Sequence, residues 1–168
     1  MTAPVMILMG SKNDWEVLRE AGAELDRLGV RWHAHVASAH RSLVRTLDLV
    51  VRGEADGVRV FICGAGMAAH LAGVAAGTTV RPVIGVPLPG GVAGGLDALL
   101  ATVQMPGGVP VATVAVGKAG ARNAAVLAAQ ILALSDPELE GRVRQARTDQ
   151  AASVAAADAE LAGGGSQR

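Results

Sequence analysis

The tetrapeptide Ser38-Ala39-His40-Arg41 sets an imidazole beside a guanidinium. An imidazole carries a proton near neutral pH, which suits general acid/base work. A guanidinium grips a phosphate or carboxylate through two parallel hydrogen bonds. A neighbouring cation also favours neutral imidazole, the form that acts as a base. Taken alone, the same residues would serve equally as an ordinary polar surface loop.

Two further segments have comparable potential. Gly10-Ser11-Lys12-Asn13-Asp14 runs directly into a helical pattern, and the exposed N–H groups of a helix start favour an anion. A plainer reading is that Asn13 or Asp14 caps the helix, with Glu16 three residues after Asn13, which leaves Ser11 and Lys12 for another purpose. Gly64-Ala65-Gly66-Met67-Ala68-Ala69 fits the G-x-G-x-x-A spacing of dinucleotide sites. It follows the third strand rather than the first, and the stretch about 20 residues on, Ile84-Gly85-Val86-Pro87, lacks the required acid. Close backbone approach to a small ligand is the better reading.

Other candidates fall away. Gly117-Lys118 is followed by Ala119 and lacks the upstream glycine of a phosphate-binding loop. His33 and His35 share one face of a strand but lack a third ligand at matching spacing. His70, in a helix lined by alanines, reads as a packed, hydrogen-bonded histidine. Cys63 ends an apolar strand and reads as a small hydrophobe.

The elements that must position these loops alternate. Val5–Met9 is a continuous apolar run, as expected of a strand buried on both faces. A helix follows, with Val17, Leu18, Ala21, Leu25 and Leu28 along one stripe and Gly29 at its end. The same reading gives strand 31–37, helix 43–52, strand 58–63, a small-residue helix from the 64–67 loop to about Gly77, and strand 82–86. A glycine-rich loop at 87–95, a short helix over Leu96–Val103, strand 111–116 and helix 119–134 complete the series. Five strand–loop–helix repeats predict a parallel five-stranded sheet covered on both faces. Ligands then bind at the carboxyl ends of the strands, where the three loops lie. Ser135-Asp136-Pro137-Glu138 opens a last, alanine-rich helix beyond the final strand, expected to pack on a neighbouring subunit. The chain reads as a single domain over residues 1–162 with a flexible tail at 163–168.

The 168 residues fit one domain. Fifteen basic and fifteen acidic residues balance to a net charge of zero, which argues against nucleic acid or an anionic membrane as partner. At 51% hydrophobic and 18% charged, the chain is not disordered. A single cysteine excludes an internal disulfide and a thiolate metal cluster. The longest apolar runs fall far short of the ~20 residues of a membrane span, and no secretory signal is apparent, so a cytoplasmic location is expected. Trp15, Trp32 and Phe61 are the only aromatics. So few large side chains give limited apolar area to bury, and oligomerisation is expected to add more.

Five segments occur in an order that resembles one family. They are Met9-Gly10-Ser11-Lys12-Asn13-Asp14-Trp15, Ser38-Ala39-His40-Arg41, and Gly64-Ala65-Gly66-Met67-Ala68-Ala69-His70-Leu71. After them come Gln104-Met105-Pro106-Gly107-Gly108-Val109-Pro110-Val111 and Gly117-Lys118-Ala119-Gly120-Ala121-Arg122-Asn123-Ala124-Ala125. Over residues 4–150 the chain is similar to the class I N5-carboxyaminoimidazole ribonucleotide mutases of purine biosynthesis. The resemblance implies a three-layer flavodoxin-like fold, an octamer, and a reaction without metal or organic cofactor. In that reaction the N5 carboxylate is released as carbon dioxide and recaptured at C4, giving 4-carboxy-5-aminoimidazole ribonucleotide. By the same resemblance His40 is the general acid/base and Ser11, Asp14 and Arg41 bind substrate. Ser38 and the backbone at Gly64, Ala65 and Gly66 form the pocket, and Asn13 and His70 complete the expected substrate contacts. The chain departs from the family pattern at Asn13 (usually Ser), Met67 (commonly Gly), Ala72 (commonly Pro) and Ser42-Leu43 (commonly Thr-Pro). Class II relatives carboxylate aminoimidazole ribonucleotide directly, with Lys after the loop histidine and without the intact Gly-Ala-Gly…Ala-Ala-His run. Arg41 and His70 favour class I. Direct carboxylation and a nucleotide-binding module without chemistry are the alternatives.

Overall fold

The computed structural model describes residues 3–164. Its strands are β1 (Val5–Met9), β2 (Trp32–Val36), β3 (Val60–Ala65), β4 (Val83–Pro87) and β5 (Ala112–Thr113). Its helices are α1 (Trp15–Arg27), α2 (Leu43–Ala55), α3 (Leu71–Ala76), α4 (Leu96–Val103), α5 (Lys118–Ala133) and α6 (Pro137–Gly164). The strands form one parallel sheet in the order β2-β1-β3-β4-β5, which is the flavodoxin-like order.

Alternation along the central strands divides the core in two. Val5, Ile7 and Met9 join Val60, Ile62, Ile84 and Val86 beneath α1 and α5. Met6, Leu8, Phe61, Cys63 and Val83 face α2 and α3 instead. Burying each large side chain contributes about 1.5–3 kcal/mol. α5 meets the sheet through Ala121, Ala124, Ala125, Ala128 and Ala129, all fully buried. Small side chains there let helix and sheet approach closely, which is how a core poor in aromatics stays dense. α6 packs its first half against α5, and residues 151–162 are exposed throughout. No described helix is long and apolar enough to cross a membrane.

Several boundaries differ from the sequence expectation. α2 runs three residues past Arg52, because Gly53 does not stop it. A Cβ at Gly53 would stand 2.6 Å from Met6 Cε, so the residue is small for packing rather than for a turn. β3 extends to Ala65, held by Met9 opposite Gly64 and Pro87 opposite Ala65. α3 starts only at Leu71, which leaves His70 as its N-cap instead of inside a helix. Met67, at φ 54°, turns the chain the wrong way for a helix to begin earlier.

The fifth strand, expected over 111–116, shrinks to two residues. It is an edge strand, and β4 turns Gly85 and Pro87 toward it. Their carbonyls accept from Val114 and Gly117, but Pro87 has no N–H to return. α6 continues to Gly164, two residues into the expected tail. The rest of that tail, residues 165–168, lies outside the described residues.

Candidate active site

The three loops singled out for their chemistry leave the carboxyl ends of β1, β2 and β3, and they meet. The connections leaving β1 and its neighbour β3 depart to opposite sides, toward β2 and β4, and such a switch opens a crevice above the sheet. The crevice here has a volume of about 440 Å³, within the usual range for small-molecule sites. Gly10, Ser11 and Asp14 line it from the first loop, and Ser38, Ala39, His40 and Arg41 from the second. Ala65, Gly66, Met67, Ala68 and His70 line it from the third.

Arg41 is tied across two loops. Its Nη2 donates to the Gly10 carbonyl at 3.0 Å and its Nε to Ser38 Oγ at 3.4 Å. Its backbone N–H also donates to Ser38 Oγ, at 3.2 Å. The turn beneath it is locked by Ser42, whose hydroxyl donates to the Ser38 carbonyl and accepts from the Ser38 N–H. The guanidinium is therefore aimed before any ligand arrives, with further N–H donors left for an anion.

His40 meets His70. His40 Nε2 lies 2.8 Å from His70 Nδ1, and the rings stand edge to face, 4.9 Å between centroids. One nitrogen must donate and the other accept, so the contact holds a single proton and couples the tautomers of the two rings. His70 thus reaches His40 itself. It is exposed at the cleft rather than packed among alanines, so the expectation of a packed residue is corrected while that of a hydrogen-bonded one holds.

In the first loop Ser11 caps a short 3-10 turn, Lys12–Asp14, and Asp14 then takes the N-cap position of α1 without a side-chain capping bond there, so of the two expected caps Asp14 holds the place and Asn13 does not. Ser11 Oγ accepts from the Asn13 N–H at 3.2 Å, and Asp14 Oδ2 accepts from the Ser11 N–H at 2.8 Å. This is a reciprocal capping box. The Ser11 hydroxyl keeps its own proton to donate. Asp14 is half-buried, and that burial pushes its carboxyl pKa up. The Ser11 and Gly10 N–H groups and the Arg41 charge oppose the rise without cancelling it. A carboxyl so placed gains when hydroxyl donors arrive.

Two expected site residues stand apart from the cleft. Asn13 is exposed and does not line it. Gly64 is buried within β3, where a Cβ would come within 2.6 Å of Leu18 Cδ1. It serves the packing of α1 on the sheet.

Sequence reasoning missed the fourth wall, Leu88, Pro89, Gly90 and Gly91. The Leu88 N–H donates to the Ala65 carbonyl at 2.9 Å, which seats this wall beside the third loop. Its signal was a glycine-rich loop following a strand's carboxyl end.

Elsewhere, the Cys63 thiol is fully buried, which pushes its pKa up to about 12 and leaves it inert. His33 and His35 form an edge-to-face pair, 5.3 Å between centroids. The described residues contain no cluster of three or more His, Cys, Asp or Glu placed to hold a metal.

Comparison with known proteins gives a consistent picture. A family model described as AIR carboxylase matches residues 4–153. The chain is 47% identical over 155 residues to an N5-carboxyaminoimidazole ribonucleotide mutase of Brucella melitensis, covering 92% of this chain and 96% of that protein. It is 48% identical over 151 residues to the mutase of Escherichia coli strain K12, covering 88% and 89%. Among solved structures it is similar to the crystal structure of Treponema denticola PurE, with a TM-score of 0.85 and 29% identity. That match covers 94% of this chain and 97% of the other.

Proposed function

The chain belongs to the AIR carboxylase family, and from that premise we propose how it works as an N5-carboxyaminoimidazole ribonucleotide mutase of purine biosynthesis. The observation that carries the mechanism is the convergence of His40, Arg41, Ser11 and Asp14 on one cleft at the switch point of the sheet. Each part of the substrate then has a counterpart. Arg41 and the Ser11 hydroxyl hold the phosphate, as charge-assisted and neutral donors. Asp14 accepts from the ribose hydroxyls. The imidazole ring lies toward His40, against the small residues Ala65, Gly66 and Ala68.

His40 gives a proton to N5 as the carbamate C–N bond breaks, releasing carbon dioxide and leaving a neutral amine. C4 then attacks the trapped carbon dioxide, and the C4 proton returns to His40. The proton count closes over the cycle, so one imidazole serves as acid and then as base. His70 holds the His40 ring and couples to its tautomer through the 2.8 Å contact. Recapture outcompetes escape because confinement replaces concentration. The residues named supply acid/base, anion-binding and confining roles, and no metal or organic cofactor enters these steps.

The unit of function in this reading is a homo-oligomer, an octamer, in the cytoplasm. Its support is apolar surface in the single chain. Val44, Leu47 and Val51 lie along the outside of α2, and Leu96, Leu100 and Val103 along α4, all exposed. Residues 151–162 of α6 offer the reach to pack on a neighbour.

The test supplies two substrates separately to the purified protein: freshly made carbamate, and aminoimidazole ribonucleotide with bicarbonate. Fast formation of 4-carboxy-5-aminoimidazole ribonucleotide from the carbamate is expected. Fast turnover of aminoimidazole ribonucleotide with carbon dioxide, and none of the carbamate, would overturn the reading in favour of direct carboxylation. Binding without turnover of either would leave a nucleotide-binding module.

A further inference from the structure

Met67 combines two unusual properties. Its backbone sits at φ 54°, a left-handed conformation that glycine adopts freely and methionine does not. Its apolar side chain is 64% exposed, at the edge of the cleft. A strained residue and a solvated apolar one coincide here, and strain of this kind gathers where a ligand is handled.

The turn that carries Met67 leads directly to the proton carrier. The Ala69 N–H donates to the Met67 carbonyl and the His70 N–H to the Ala68 carbonyl, each at 2.9 Å. His70 in turn holds His40. Met67 therefore lines the cleft from the same turn that carries His70, the residue in contact with His40. Its neighbours in the cleft wall, Ala65, Gly66 and Ala68, are too small to cover anything. A flexible, polarizable side chain is suited to closing over a small apolar molecule.

We propose that Met67 folds over the carbon dioxide freed from N5 and retains it until C4 captures it. The inference rests on the mutase reading and adds a retention residue to it. Two fates compete once the C–N bond has broken and the nitrogen has taken its proton. If carbon dioxide escapes, aminoimidazole ribonucleotide is left behind. If it stays, the C4–carbon bond forms and the C4 proton passes to His40. Met67 shifts that partition without touching the proton transfers. Removing its side chain takes away the lid and relaxes the backbone together.

The experiment follows unlabelled carbamate in medium containing 13C-bicarbonate and carbonic anhydrase, with early product analysed by mass. Label enters 4-carboxy-5-aminoimidazole ribonucleotide only when the original carbon dioxide has exchanged with the medium. Wild-type product should carry little label. Met67→Gly should raise it on the order of fivefold, the partition change expected for losing part of one apolar side chain's cover. The thermal midpoint of Met67→Gly should not fall, since the strain is gone. Met67→Leu keeps the apolar bulk and should label like wild type. Equal labelling in wild type and Met67→Gly would overturn the proposal, as would an equal rise in Met67→Gly and Met67→Leu. No product from carbamate with the wild-type protein would instead sink the mutase reading, and this proposal with it.

Discussion

Gly64→Ala separates a packing role from a binding role at a residue whose position in the loop motif invites the second. A Cβ at Gly64 would stand 2.6 Å from Leu18 Cδ1, 2.7 Å from Cδ2 and 2.9 Å from Cγ. Ordinary carbon contacts are about 3.5–4.0 Å, so the methyl arrives roughly 1 Å too close to three atoms. Leu18 is fully buried, and its branch point is involved, so it cannot simply swing its tip away. Overpacking of this kind costs about 1–3 kcal/mol. Leu18→Ala removes the three clashing atoms and by itself costs about 2–5 kcal/mol. The double variant should lose less than the sum, with a coupling of about 0.5–3 kcal/mol. Urea denaturation at a fixed protomer concentration measures all three. The folded Gly64→Ala enzyme should keep its KM within about twofold, because uniform binding is untouched. A stability within about 0.5 kcal/mol of wild type, together with a KM raised tenfold or more, would refute the packing account and return Gly64 to the substrate.

Arg41→Ala should weaken nucleotide binding by about 1.5–3 kcal/mol, the range for a hydrogen bond to a charged group. Calorimetry with the product nucleotide reads it, and an unchanged affinity would put the phosphate elsewhere. Asp14 carries a pKa raised above its ordinary value of 3.8, chiefly by burial. Its contribution to stability is therefore present below that value and lost as pH rises through the folded pKa. Asp14→Asn can still accept from the Ser11 N–H, so its melting temperature relative to wild type should improve from pH 3 to pH 7. A relative loss over that interval would contradict the raised pKa. Val44→Asp places a charge on the outer stripe of α2, at a residue that is 81% exposed in the single chain. It should leave the protomer folded while reducing assembly in sedimentation, and unaltered assembly would exclude this face of α2 from the contact.

The fold was legible in the sequence because its central strands are continuous apolar runs and its loops are polar or glycine-rich. Val5–Met9 and its helix ended by Gly29 lie where periodicity put them. Boundaries failed where a residue has two physical uses. Gly53 reads as a helix stop and is a contact point for Met6. Pro87 reads as the start of a loop and ends β4, where its missing N–H shortens the strand beside it.

At the cleft, the coincidence of three loops at strand ends was visible from element order alone. Their meeting partners were not. The contact of His40 with His70 joins residues thirty positions apart, and no local pattern announces it. Ser11 looked dispensable to the helix because Asn13 and Asp14 are equally good caps. Only the backbone path decides between them. Gly64 shares its motif with residues that line the cleft, yet strand alternation turns it toward Leu18 instead.

The central claim is that His40 moves the proton that lets the carboxyl group travel. Turnover of carbamate by His40→Asn, measured beside nucleotide binding by the same protein, tests it directly. The account predicts binding nearly unchanged and a rate lower by about 10²–10⁴-fold or more, as expected when a general acid/base is lost. His40→Asn that converts carbamate at the wild-type rate would contradict it.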